Sequence, residues 1–493
     1  MSEATYDVVV VGGGSAGLCA ALAAHQRQTR VLLIDKCPKP TRGGNTRFSS
    51  GGFRFTYGNL EDIRPLLPDL SDEEAGRLDI PSYESADYCE DVMRATEYLA
   101  DKKLTTVLAA ESYPTVRWLK EMNVKWRLSA RSGHSIKVGE KIRFPAGRVI
   151  SVKDGGQGLV ETLFQTAENK GLDILYEAKA LSILFDKKQT ISGIRIQTNE
   201  GVMDFQTRSV VLASGGFEAN AEMRAKYLGS GWDMVKVRGS RYNTGETLKL
   251  ALAVGAQGAG QWSGCHAVLL NANAPDVEAV HEQMFSYPYG IMVDIDGRRF
   301  VDEGEDVYNR TYGKLGREVL RLPSKMAFQI FDQKVVHLLR SEYKQDSAVS
   351  ADSIESLGRQ LPSFNWENLV KTIKQFNEAV QEGQFNPSRK DSKHTQNITP
   401  AKSNWAQRLD SPPYYAYPVT CGITFTFGGL RITEKAEVCD TEDKLIRGLF
   451  AAGEITGGSF YHNYPGGSAL TKGAVFGKIA GFGAASYSKA ASS

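Results

Sequence analysis

Residues 6–36 read YDVVVVGGGSAGLCAALAAHQRQTRVLLIDK. Two short apolar runs, residues 6–11 and 31–34, flank a glycine-rich turn and an alanine-rich segment with helical spacing of its apolar residues. This order predicts a strand, a tight turn, a helix and a second strand, which is the beginning of a parallel α/β sheet.

The turn carries the pattern GxGxxG at Gly12, Gly14 and Gly17. In this pattern the first glycine allows the tight turn, the second lets a pyrophosphate approach the backbone, and the third lets helix and strand pack closely. The N-terminus of the helix offers free N–H groups and the positive end of its dipole to phosphates. Asp35 follows Gly17 by 18 residues, where a carboxylate accepts hydrogen bonds from a ribose. We therefore predict a Rossmann-like domain that binds a dinucleotide through Gly12, Gly14, Ser15, Ala16, Gly17, Asp35 and Lys36; the alternative is a glycine-rich turn without a nucleotide.

The bulk composition is that of a globular protein with room for two domains. Its 493 residues include 59 basic and 57 acidic side chains, so the net charge of +2 gives no electrostatic reason to expect nucleic acid or an acidic membrane surface as a partner. No apolar run is long enough to span a bilayer, and no basic segment precedes the first apolar run as in a signal peptide. The six cysteines form no CxxC, which argues against a metal site or a disulfide framework and is typical of a cytoplasmic protein.

Residues 43–52 read GGNTRFSSGG, which predicts a loop because four of the ten residues are glycine. One interpretation is a flexible surface loop. The other is a backbone-rich cradle against a planar ring, in which glycines approach without a Cβ and side chains donate hydrogen bonds to ring heteroatoms. The residues of this cradle are Gly43, Gly44, Asn45, Thr46, Ser50, Gly51 and Gly52.

The middle of the chain alternates helical and strand patterns. Helices are predicted over residues 85–100, 107–121 and 155–169, followed by an antiparallel meander of short strands at 173–178, 181–186, 191–198 and 202–207. A further buried strand is predicted over 209–216, without a second GxGxxG, so no separate NAD(P)H-binding domain is apparent. The basic stretch 127–148, with Arg131, His134 and Lys137 among its residues, is either a solvated loop or an electropositive wall.

The composition changes after about residue 260. A hairpin with an Asp-Gly turn is predicted over 291–301, amphipathic helices follow, of which 366–382 is the clearest, and sheet patterning returns at 414–430 and 449–453 before a last helix at 468–485. We therefore predict an α/β fold with a two-part dinucleotide-binding domain, residues 1–259 and 416–493. An α+β cap or substrate domain, residues 260–415, is inserted between the two parts.

Several motifs occur in the order found in one known family. The GxGxxG start, Asp35, the GGNT loop, the sequence Asn243-Thr244-Gly245-Glu246 and the sequence Gly453-Glu454-Ile455-Thr456-Gly457-Gly458 together resemble the flavoproteins of the succinate dehydrogenase and fumarate reductase family. The resemblance implies FAD as the cofactor, with the GGNT loop beside the flavin ring. Because no histidine occurs between Lys36 and Phe55, we expect the FAD to be bound non-covalently.

The same resemblance implies further cofactor contacts. It places a backbone contact to adenine near Ala178 and a second phosphate-side strand at 209–216. The last helix begins after two glycines, so its N-terminal N–H groups can stabilise negative charge on the reduced flavin. The additional residues implied in the cofactor site are Ala178, Ala213, Ser214, Gly215, Gly245, Glu246, Gly453, Glu454, Gly467, Ser468, Ala469 and Leu470.

The reacting site resembles the family only in part. Fumarate reductases bind dicarboxylates with two histidines and two arginines; here His266 matches the first histidine, whereas the second falls on Thr424 and Phe425 and one arginine falls on Tyr464. The proton-donating arginine is matched by Arg310. The segments GCHAV, RRFVDEG, GITFTFGGL and YHNYPGG look closer to the tricarballylate dehydrogenase branch, and the Tyr-Pro-Gly-Gly piece also resembles ketosteroid dehydrogenases.

These features predict an FAD-dependent enzyme that transfers a hydride between flavin and a C–C bond alpha-beta to a carboxylate or carbonyl. The candidate catalytic residues are Tyr464 and His266 as acid–base or orienting groups, and Arg241, Arg299 and Arg310 as carboxylate ligands. His266 is alternatively a structural hydrogen-bond partner, and Arg299 a salt-bridging surface residue. The alternative functions are a ketosteroid-dehydrogenase-like or enone-reducing enzyme and a non-catalytic flavin-binding redox sensor or scaffold. The expected partners are a small-molecule substrate and a separate electron donor or acceptor, with no membrane segment.

Overall fold

The computed structural model describes residues 5–129, 136–138, 140–279, 282–344 and 347–491. The chain divides into two compact units: the first is Met1–Asp233, Gly239–Cys265 and Phe425–Ser493, and the second is Met234–Arg238 and His266–Thr424. The sequence placed the two main boundaries at 260 and 415. The structure shifts both, because the strands Cys265–Asn271 and Tyr414–Thr426 lie mainly in the second unit.

The α-helices alternate with strands in the first unit and are short in much of the second. In chain order they are α1 (Ser15–Gln26), α2 (Leu60–Ile63), α3 (Asp72–Gly76), α4 (Ser85–Ala95), α5 (Lys102–Glu121), α6 (Gly155–Asn169), α7 (Ala221–Leu228), α8 (Glu246–Ala253), α9 (Tyr308–Thr311), α10 (Leu315–Arg321), α11 (Ile354–Gln360), α12 (Trp366–Ala379) and α13 (Ser468–Ala490).

The strands are numbered in the same way. They are β1 (Thr5–Val11), β2 (Val31–Ile34), β3 (Leu78–Asp79), β4 (Trp126–Leu128), β5 (Ile136–Val138), β6 (Lys141–Arg143), β7 (Ile150–Val152), β8 (Asp173–Leu175), β9 (Lys179–Phe185), β10 (Ile191–Thr198), β11 (Gly201–Leu212), β12 (Lys236–Val237), β13 (Gly258–Ala259), β14 (Cys265–Asn271), β15 (Ile291–Val293), β16 (Met326–Asp332), β17 (Val349–Ala351), β18 (Tyr414–Thr426), β19 (Gly429–Leu430), β20 (Glu437–Cys439) and β21 (Leu445–Ala451).

The main sheet of the first unit has the order β20-β21-β11-β1-β2-β8, with β10 and β9 continuing from β11. The pairs β21–β11, β11–β1, β1–β2 and β2–β8 are all parallel. Val11 of β1 lies opposite Ile34 of β2 and Leu212 of β11. Because these strands end in register, the residues that follow them meet at one edge of the sheet, which is where ligands bind in parallel α/β folds.

Helix α1 is buried along residues 15–24, an alanine-rich stretch that close packing requires. It packs on α13, and small residues keep the two backbones close. A Cβ added to Gly477 would lie 2.4 Å from the Ala16 carbonyl oxygen, and one added to Gly481 would lie 2.1 Å from that of Ala20. The first and last helices of the described chain therefore form one layer of this unit.

The second unit is built on a mixed six-stranded sheet with the order β12-β18-β16-β15, to which β14 and β17 add by pairing with β18. The long strand β18 pairs antiparallel with β16 over seven residue pairs, from Met326–Thr420 to Asp332–Tyr414. One buried cluster includes Leu269, Met292 and Phe331, and the other includes Ile330, Phe376 and Ala416. These residues form the core of the unit.

Sequence and structure agree on the fold class and differ in three places. Residues 202–207 and 209–216 were predicted as two strands, but Gly201–Leu212 is one strand, whose first half pairs antiparallel with β10 and whose second half pairs parallel with β1. Strand β8 was assigned to the meander, but it pairs with β2 in the parallel sheet. The predicted hairpin at 291–301 keeps its turn and a single bridge between Val293 and Arg299, whereas β15 pairs mainly with β16, which lies far along the chain.

Four predicted helices also have different ends. The one predicted over 366–382 ends at Ala379, and the one predicted over 468–485 extends to Ala490. The helix predicted over 85–100 ends at Ala95, and the one predicted from residue 107 begins at Lys102, because the Asp101 carboxylate accepts hydrogen bonds from the N–H groups of Lys103 and Leu104 and caps the helix. The helix predicted over 155–169 has the expected bounds. Among the helices that the structure describes, none has the length and hydropathy that a bilayer crossing would require.

Candidate functional site

The glycine-rich turn after β1 contains glycines of two kinds. Gly12 has a φ of +109°, and a Cβ there would lie 2.5 Å from the Ala213 carbonyl oxygen; a Cβ on Gly17 would lie 1.8 Å from the Gly12 carbonyl oxygen. These two glycines are required by the protein's own packing. Gly14 has a φ of −73°, and the nearest atom to an added Cβ is Thr46 Oγ1 at 3.7 Å. The protein leaves room for a side chain at Gly14, so the glycine there points to a ligand that uses this space.

The N-terminus of α1 lies buried in the same place. Its N-cap is Gly14, which brings no capping side chain, and Ser15 and Ala16 are buried. The Ser15 N–H donates to Thr46 Oγ1 at 3.1 Å, and Thr46 Oγ1 donates to Ser15 Oγ at 3.0 Å. A Cβ on Gly453 would lie 2.8 Å from the Ala16 Cβ. The structure thus brings the predicted residues of β1, the GGNT loop and the C-terminal motif together around one helix end.

Asp35 lies directly after β2 and is 8% exposed. Its Oδ2 accepts a hydrogen bond from the Gly13 N–H at 3.0 Å and its Oδ1 accepts one from the Cys37 N–H at 3.3 Å. Burial raises the pKa of this carboxyl, and the two backbone donors act against that shift. The Ala178 N–H donates to the Asp35 carbonyl oxygen, so the residue expected near adenine is adjacent to the predicted ribose ligand.

Lys36 and Glu246, both predicted to contact the cofactor, contact each other. Lys36 Nζ donates to Glu246 Oε2 at 2.7 Å and also to Thr244 Oγ1. The pKa of Glu246 is lowered to about 2, because burial raises it less than these hydrogen bonds and the charge of Lys36 lower it. Gly245 has a φ of +76° at the N-cap of α8, where a Cβ would lie 2.6 Å from Met223 Sδ. In the structure, the Lys36–Glu246 ion pair and the packing of Gly245 against Met223 therefore account for this segment.

The loop 43–52 was predicted to lack regular structure, but Gly44–Phe48 forms a 3-10 helix. The loop packs on the start of α6, where a Cβ on Gly43 would lie 2.7 Å from Val160 Cγ2 and one on Gly51 would lie 2.7 Å from the Gly155 Cα. A Cβ on Gly52 would lie 2.6 Å from the Arg148 guanidinium, which donates to Ser50 Oγ at 3.3 Å. These contacts fix the loop against the first unit and exclude the flexible-loop interpretation.

Asn45 was expected to donate to a ring. In the structure its Nδ2 donates to Glu218 Oε1 and, at 3.5 Å, to Glu454 Oε2, and its Oδ1 accepts from the Ser240 N–H at 2.8 Å. Its side chain therefore binds two acids, of which Glu218 is buried and Glu454 half-buried. Ala213 follows β11, and Ser214 and Gly215 lead to Glu218; a Cβ on Gly215 would lie 2.6 Å from Asn243 Nδ2.

Helix α13 begins at the same group of residues. Its N-cap is Gly467, with a φ of +93°, followed by Ser468, Ala469 and Leu470 in the first turn. A Cβ on Gly467 would lie 2.9 Å from the Arg54 backbone nitrogen. One turn later, Lys472 is buried and donates to the Thr456 carbonyl oxygen at 2.7 Å. Two helix N-termini, those of α1 and α13, are thus buried in the unit that contains the glycine-rich turn, and both favour bound negative charge.

Tyr464 lies three residues before the N-cap of α13, within the first unit. Its ring packs edge-on against Phe425, with centroids 4.9 Å apart, and against Phe460 at 5.5 Å. Tyr464 is therefore a half-buried tyrosine whose ring packs against two aromatic rings.

Of the three arginines proposed as carboxylate ligands, Arg299 is used inside its own unit. Its guanidinium donates to both carboxylate oxygens of Glu303, at 3.1 and 2.6 Å, and to the carbonyl oxygen of Pro400 at 2.6 Å. The side chains of Arg299 and Glu303 are 4% and 0% exposed. Arg299 is thus a buried, ion-paired residue whose donors already bind protein acceptors, and its role as a substrate ligand stays a prediction.

The other two arginines are at the surface. Arg310 has a side chain that is 69% exposed and lies 3.4 Å from Asp306, and Arg241 in the first unit is exposed. Within the basic stretch 127–148, Arg131 and His134 lie outside the described residues, as does the side chain of Lys137, while Arg143 pairs with Asp79 at 2.6 Å.

His266 is buried in the second unit, at the second residue of β14, and its ring packs edge-on against Tyr312 at 4.9 Å. Burial, together with the positive charge of Arg238, lowers its pKa to about 3. The imidazole is therefore neutral at physiological pH. It can orient a polar group, and its low pKa makes it a weak proton acceptor. It supplies no positive charge for a carboxylate.

Comparison with known proteins identifies the family of this chain. A family model described as "FAD binding domain" matches residues 7–470. The chain belongs to this FAD-binding family. A relative named "Fumarate reductase (cytochrome)" from Shewanella frigidimarina is 30% identical over 496 residues, covering 98% of this chain and 78% of the relative. A "3-oxosteroid 1-dehydrogenase" from Mycolicibacterium smegmatis is 24% identical over 575 residues, covering 97% of each. The open conformation of a flavocytochrome c3 fumarate reductase has a TM-score of 0.76 at 27% identity, covering 98% of this chain and 79% of that one.

The protein is accordingly an FAD-dependent oxidoreductase that acts on CH–CH bonds, and the non-catalytic alternative falls away. The comparisons do not single out tricarballylate dehydrogenases. The residues at the sheet edge fit the cofactor, since Gly14 leaves space beside a helix N-terminus and Asp35 is a buried carboxylate after β2. Bound FAD would accept or supply a hydride, and the first unit's residues would hold and orient it.

The sequence interpretation missed Glu218, Asn243, Thr426 and Lys472. All four are buried polar residues of the first unit near Glu454. The signal for Glu218 was present, because it is a charged residue directly after the apolar strand and two glycines, between Phe217 and Ala219. An acidic side chain is seldom buried without a partner. A glutamate directly after a buried strand therefore predicts a hydrogen-bond donor buried beside it.

Proposed function

We propose that this FAD-dependent enzyme oxidises or reduces a C–C bond alpha-beta to a carboxylate or carbonyl, with Tyr464 stabilising the oxygen of the activating group. The observation that carries the proposal is the position of Tyr464. It lies in the unit that carries the FAD motif, three residues before the N-cap of a helix predicted to meet the flavin, and two aromatic rings fix it. A phenol in such a place can donate to an oxygen that gains enolate-like charge.

The activating group is the point on which two candidates differ. A carboxylate is favoured by the relative named fumarate reductase and by the tricarballylate-dehydrogenase-like segments of the sequence. A ketone is favoured by the aromatic surroundings of Tyr464 and by the neutral His266. It is also favoured because the Arg299 guanidinium already binds Glu303. For a carboxylate, Arg241 and Arg310 are the remaining proposed bidentate ligands.

The test is anaerobic bleaching of the oxidised flavin band by two panels of compounds. One panel contains dicarboxylates and tricarboxylates, including tricarballylate, and the other contains ketosteroids and cyclic ketones. Bleaching by a saturated carboxylate supports the carboxylate proposal in the oxidative direction, and bleaching by a ketone alone supports the second candidate. If neither bleaches the flavin, dithionite-reduced enzyme is offered fumarate and enones. Failure of both classes to reoxidise it would refute the proposed reaction.

Tyr464→Phe should reduce turnover by about 10²–10⁴-fold, the usual contribution of a positioned proton donor, and leave the FAD bound. The ring and its contacts with Phe425 and Phe460 persist in this variant, so only the hydroxyl is tested. The measurement is single-turnover flavin reduction or reoxidation with the compound found active. Tyr461→Phe is the matched control and should keep turnover within about twofold. A Tyr464→Phe enzyme with wild-type rates would remove this residue from the mechanism.

A further inference from the structure

The first unit contains two glutamates whose carboxyl groups lie side by side, Glu218 buried and Glu454 half-buried. Glu218 is fully buried, and its Oε1 accepts hydrogen bonds from Asn243 Nδ2 at 2.6 Å and from Asn45 Nδ2. Glu218 therefore receives two amide donors on one oxygen.

The second glutamate, Glu454, has its own donors. Its Oε1 accepts from the Thr426 N–H at 2.8 Å and from Thr426 Oγ1 at 3.2 Å, and its Oε2 accepts from Asn45 Nδ2 at 3.5 Å. A Cβ on Gly216 would lie 2.2 Å from Glu454 Oε1, so the backbone at this point is shaped to admit the carboxyl. The two acids lie within hydrogen-bonding reach of each other.

One carboxylate oxygen of this pair differs from the others. Glu218 Oε2 is buried and receives no hydrogen bond from any residue that the structure describes. A buried carboxylate oxygen without a donor is costly, and two carboxylates in contact repel each other. Both problems disappear if Glu218 Oε2 carries a proton and donates it to Glu454, as in other carboxyl pairs that share one proton.

We propose that Glu218 is a positioning residue of the flavin site, protonated at Oε2 and donating to Glu454, and that this carboxyl pair fixes Asn45 and Glu454 for FAD. Asn45 contacts both acids through Nδ2 and the Ser240 N–H through Oδ1. Glu218 thereby joins the loop 43–52, the segment 240–243 and the motif at Gly453–Ile455. The proposal rests on the family membership and does not depend on which substrate is used.

The surrounding charges agree with a single shared proton. Lys472 on α13 is the cation whose charge acts on Glu454, and Arg224 on α7 donates to the Glu218 carbonyl oxygen at 2.5 Å. Burial and the neighbouring Glu454 raise the pKa of Glu218 well above its ordinary value. Burial also raises the pKa of Glu454, whereas the hydrogen bonds from Glu218 and Thr426 and the charge of Lys472 act against that rise. One carboxylate and one ammonium then leave the cluster close to neutral.

The proton on Glu218 determines how the stability of the protein changes as the pH rises. Between its ordinary pKa of 4.5 and its raised pKa, Glu218 holds a proton in the folded protein that the unfolded chain has released, so stability falls as the pH rises through this range. Lys472 acts in the opposite direction: burial lowers its pKa from 10.5 to about 8, so its titration favours the folded state as the pH rises between these values. A variant at Glu218 isolates the first effect.

The test compares Glu218→Gln, Glu218→Ala and the exposed control Glu222→Gln in the FAD-loaded protein. Glutamine carries an oxygen for the two asparagines and an N–H for Glu454, so Glu218→Gln imitates the protonated acid. It should keep FAD affinity within about threefold at neutral pH, whereas Glu218→Ala should weaken it by about tenfold or more, because partners are left unpaired. FAD retention should fall with rising pH in the wild type and in Glu222→Gln, and fall less in Glu218→Gln.

The proton itself is observed by infrared difference spectroscopy in water and heavy water. A carboxylic acid C=O band should be present in the wild type and in Glu222→Gln and be missing in Glu218→Gln. If that band is unchanged in Glu218→Gln, or if this variant loses FAD with the wild-type pH dependence, the proposal is wrong. The infrared result does not use turnover, so it also decides the matter if Glu218→Ala fails to fold.

Discussion

Gly14→Ala should leave the protein folded and remove most of its FAD. The added methyl group would have Thr46 Oγ1, at 3.7 Å, as its nearest protein atom, and the φ of −73° suits alanine. Nothing in the protein therefore resists the change. If the pyrophosphate of FAD passes this glycine, as the motif predicts, the methyl group occupies its space. We expect FAD affinity to fall by about 100-fold, equivalent to about 2.8 kcal/mol.

The measurement is the ratio of flavin absorbance to protein absorbance after purification, followed by FAD titration of the apoprotein and by thermal unfolding. Gly17→Ala is the contrasting variant, since its methyl group would lie 1.8 Å from the Gly12 carbonyl oxygen and should prevent the turn from folding at all. Gly76→Ala is the control, because no described atom outside its own helix and chain neighbours lies within 4 Å of a Cβ there. A Gly14→Ala protein that binds FAD like the wild type would show that this space is not used by the cofactor.

Arg299→Ala should destabilise the second unit by about 3–5 kcal/mol, the usual cost of leaving a buried charge without its partner. Glu303 is fully buried, and besides Arg299 it accepts a hydrogen bond from the Met292 N–H at 2.7 Å. Lys402, whose pKa burial lowers to about 8, is the other cation close to Glu303. Chemical denaturation monitored by far-UV circular dichroism measures the effect.

Two further variants separate a structural role from a catalytic one. Arg299→Ala combined with Glu303→Gln should recover part of the lost stability, because no buried charge is then unpaired. Arg321→Ala, which removes an exposed arginine paired with Glu318, should change stability by less than about 1 kcal/mol. An Arg299→Ala protein of wild-type stability with abolished turnover would support Arg299 as a substrate ligand.

The parts of the fold that sequence predicts well are those fixed by local patterns. The residues 6–36, the helix Gly155–Asn169 and the strand Ile191–Thr198 have strong periodicity and clear glycine or turn signals at their ends. The errors arise where pairing is non-local. Strand β11 pairs with β10 beside it in sequence and with β1 far from it, and local patterns predicted two separate strands, 202–207 and 209–216, in its place.

The same distinction between local patterns and non-local contacts applies to the site residues. Residues that follow in-register strands, such as Gly12, Asp35 and Ala213, could be placed from motifs, since the topology of a parallel sheet brings strand ends together. The hydrogen-bond partners of the side chains could not be predicted from motifs. The contact of Asn45 with Glu218 and the two bonds from Arg299 to Glu303 depend on tertiary packing, although the spacing of Arg299 and Glu303 was visible in the segment RRFVDE.

The packing of α13 on α1 has a consequence for how the protein folds. The two helices are far apart in the sequence, and Gly477 and Gly481 of α13 cover Ala16 and Ala20 of α1. Contacts between distant parts of a chain form slowly, and transiently uncovered apolar surface aggregates. The alanine-rich face of α1 is therefore expected to be a site of aggregation in any folding intermediate in which α13 has not yet docked.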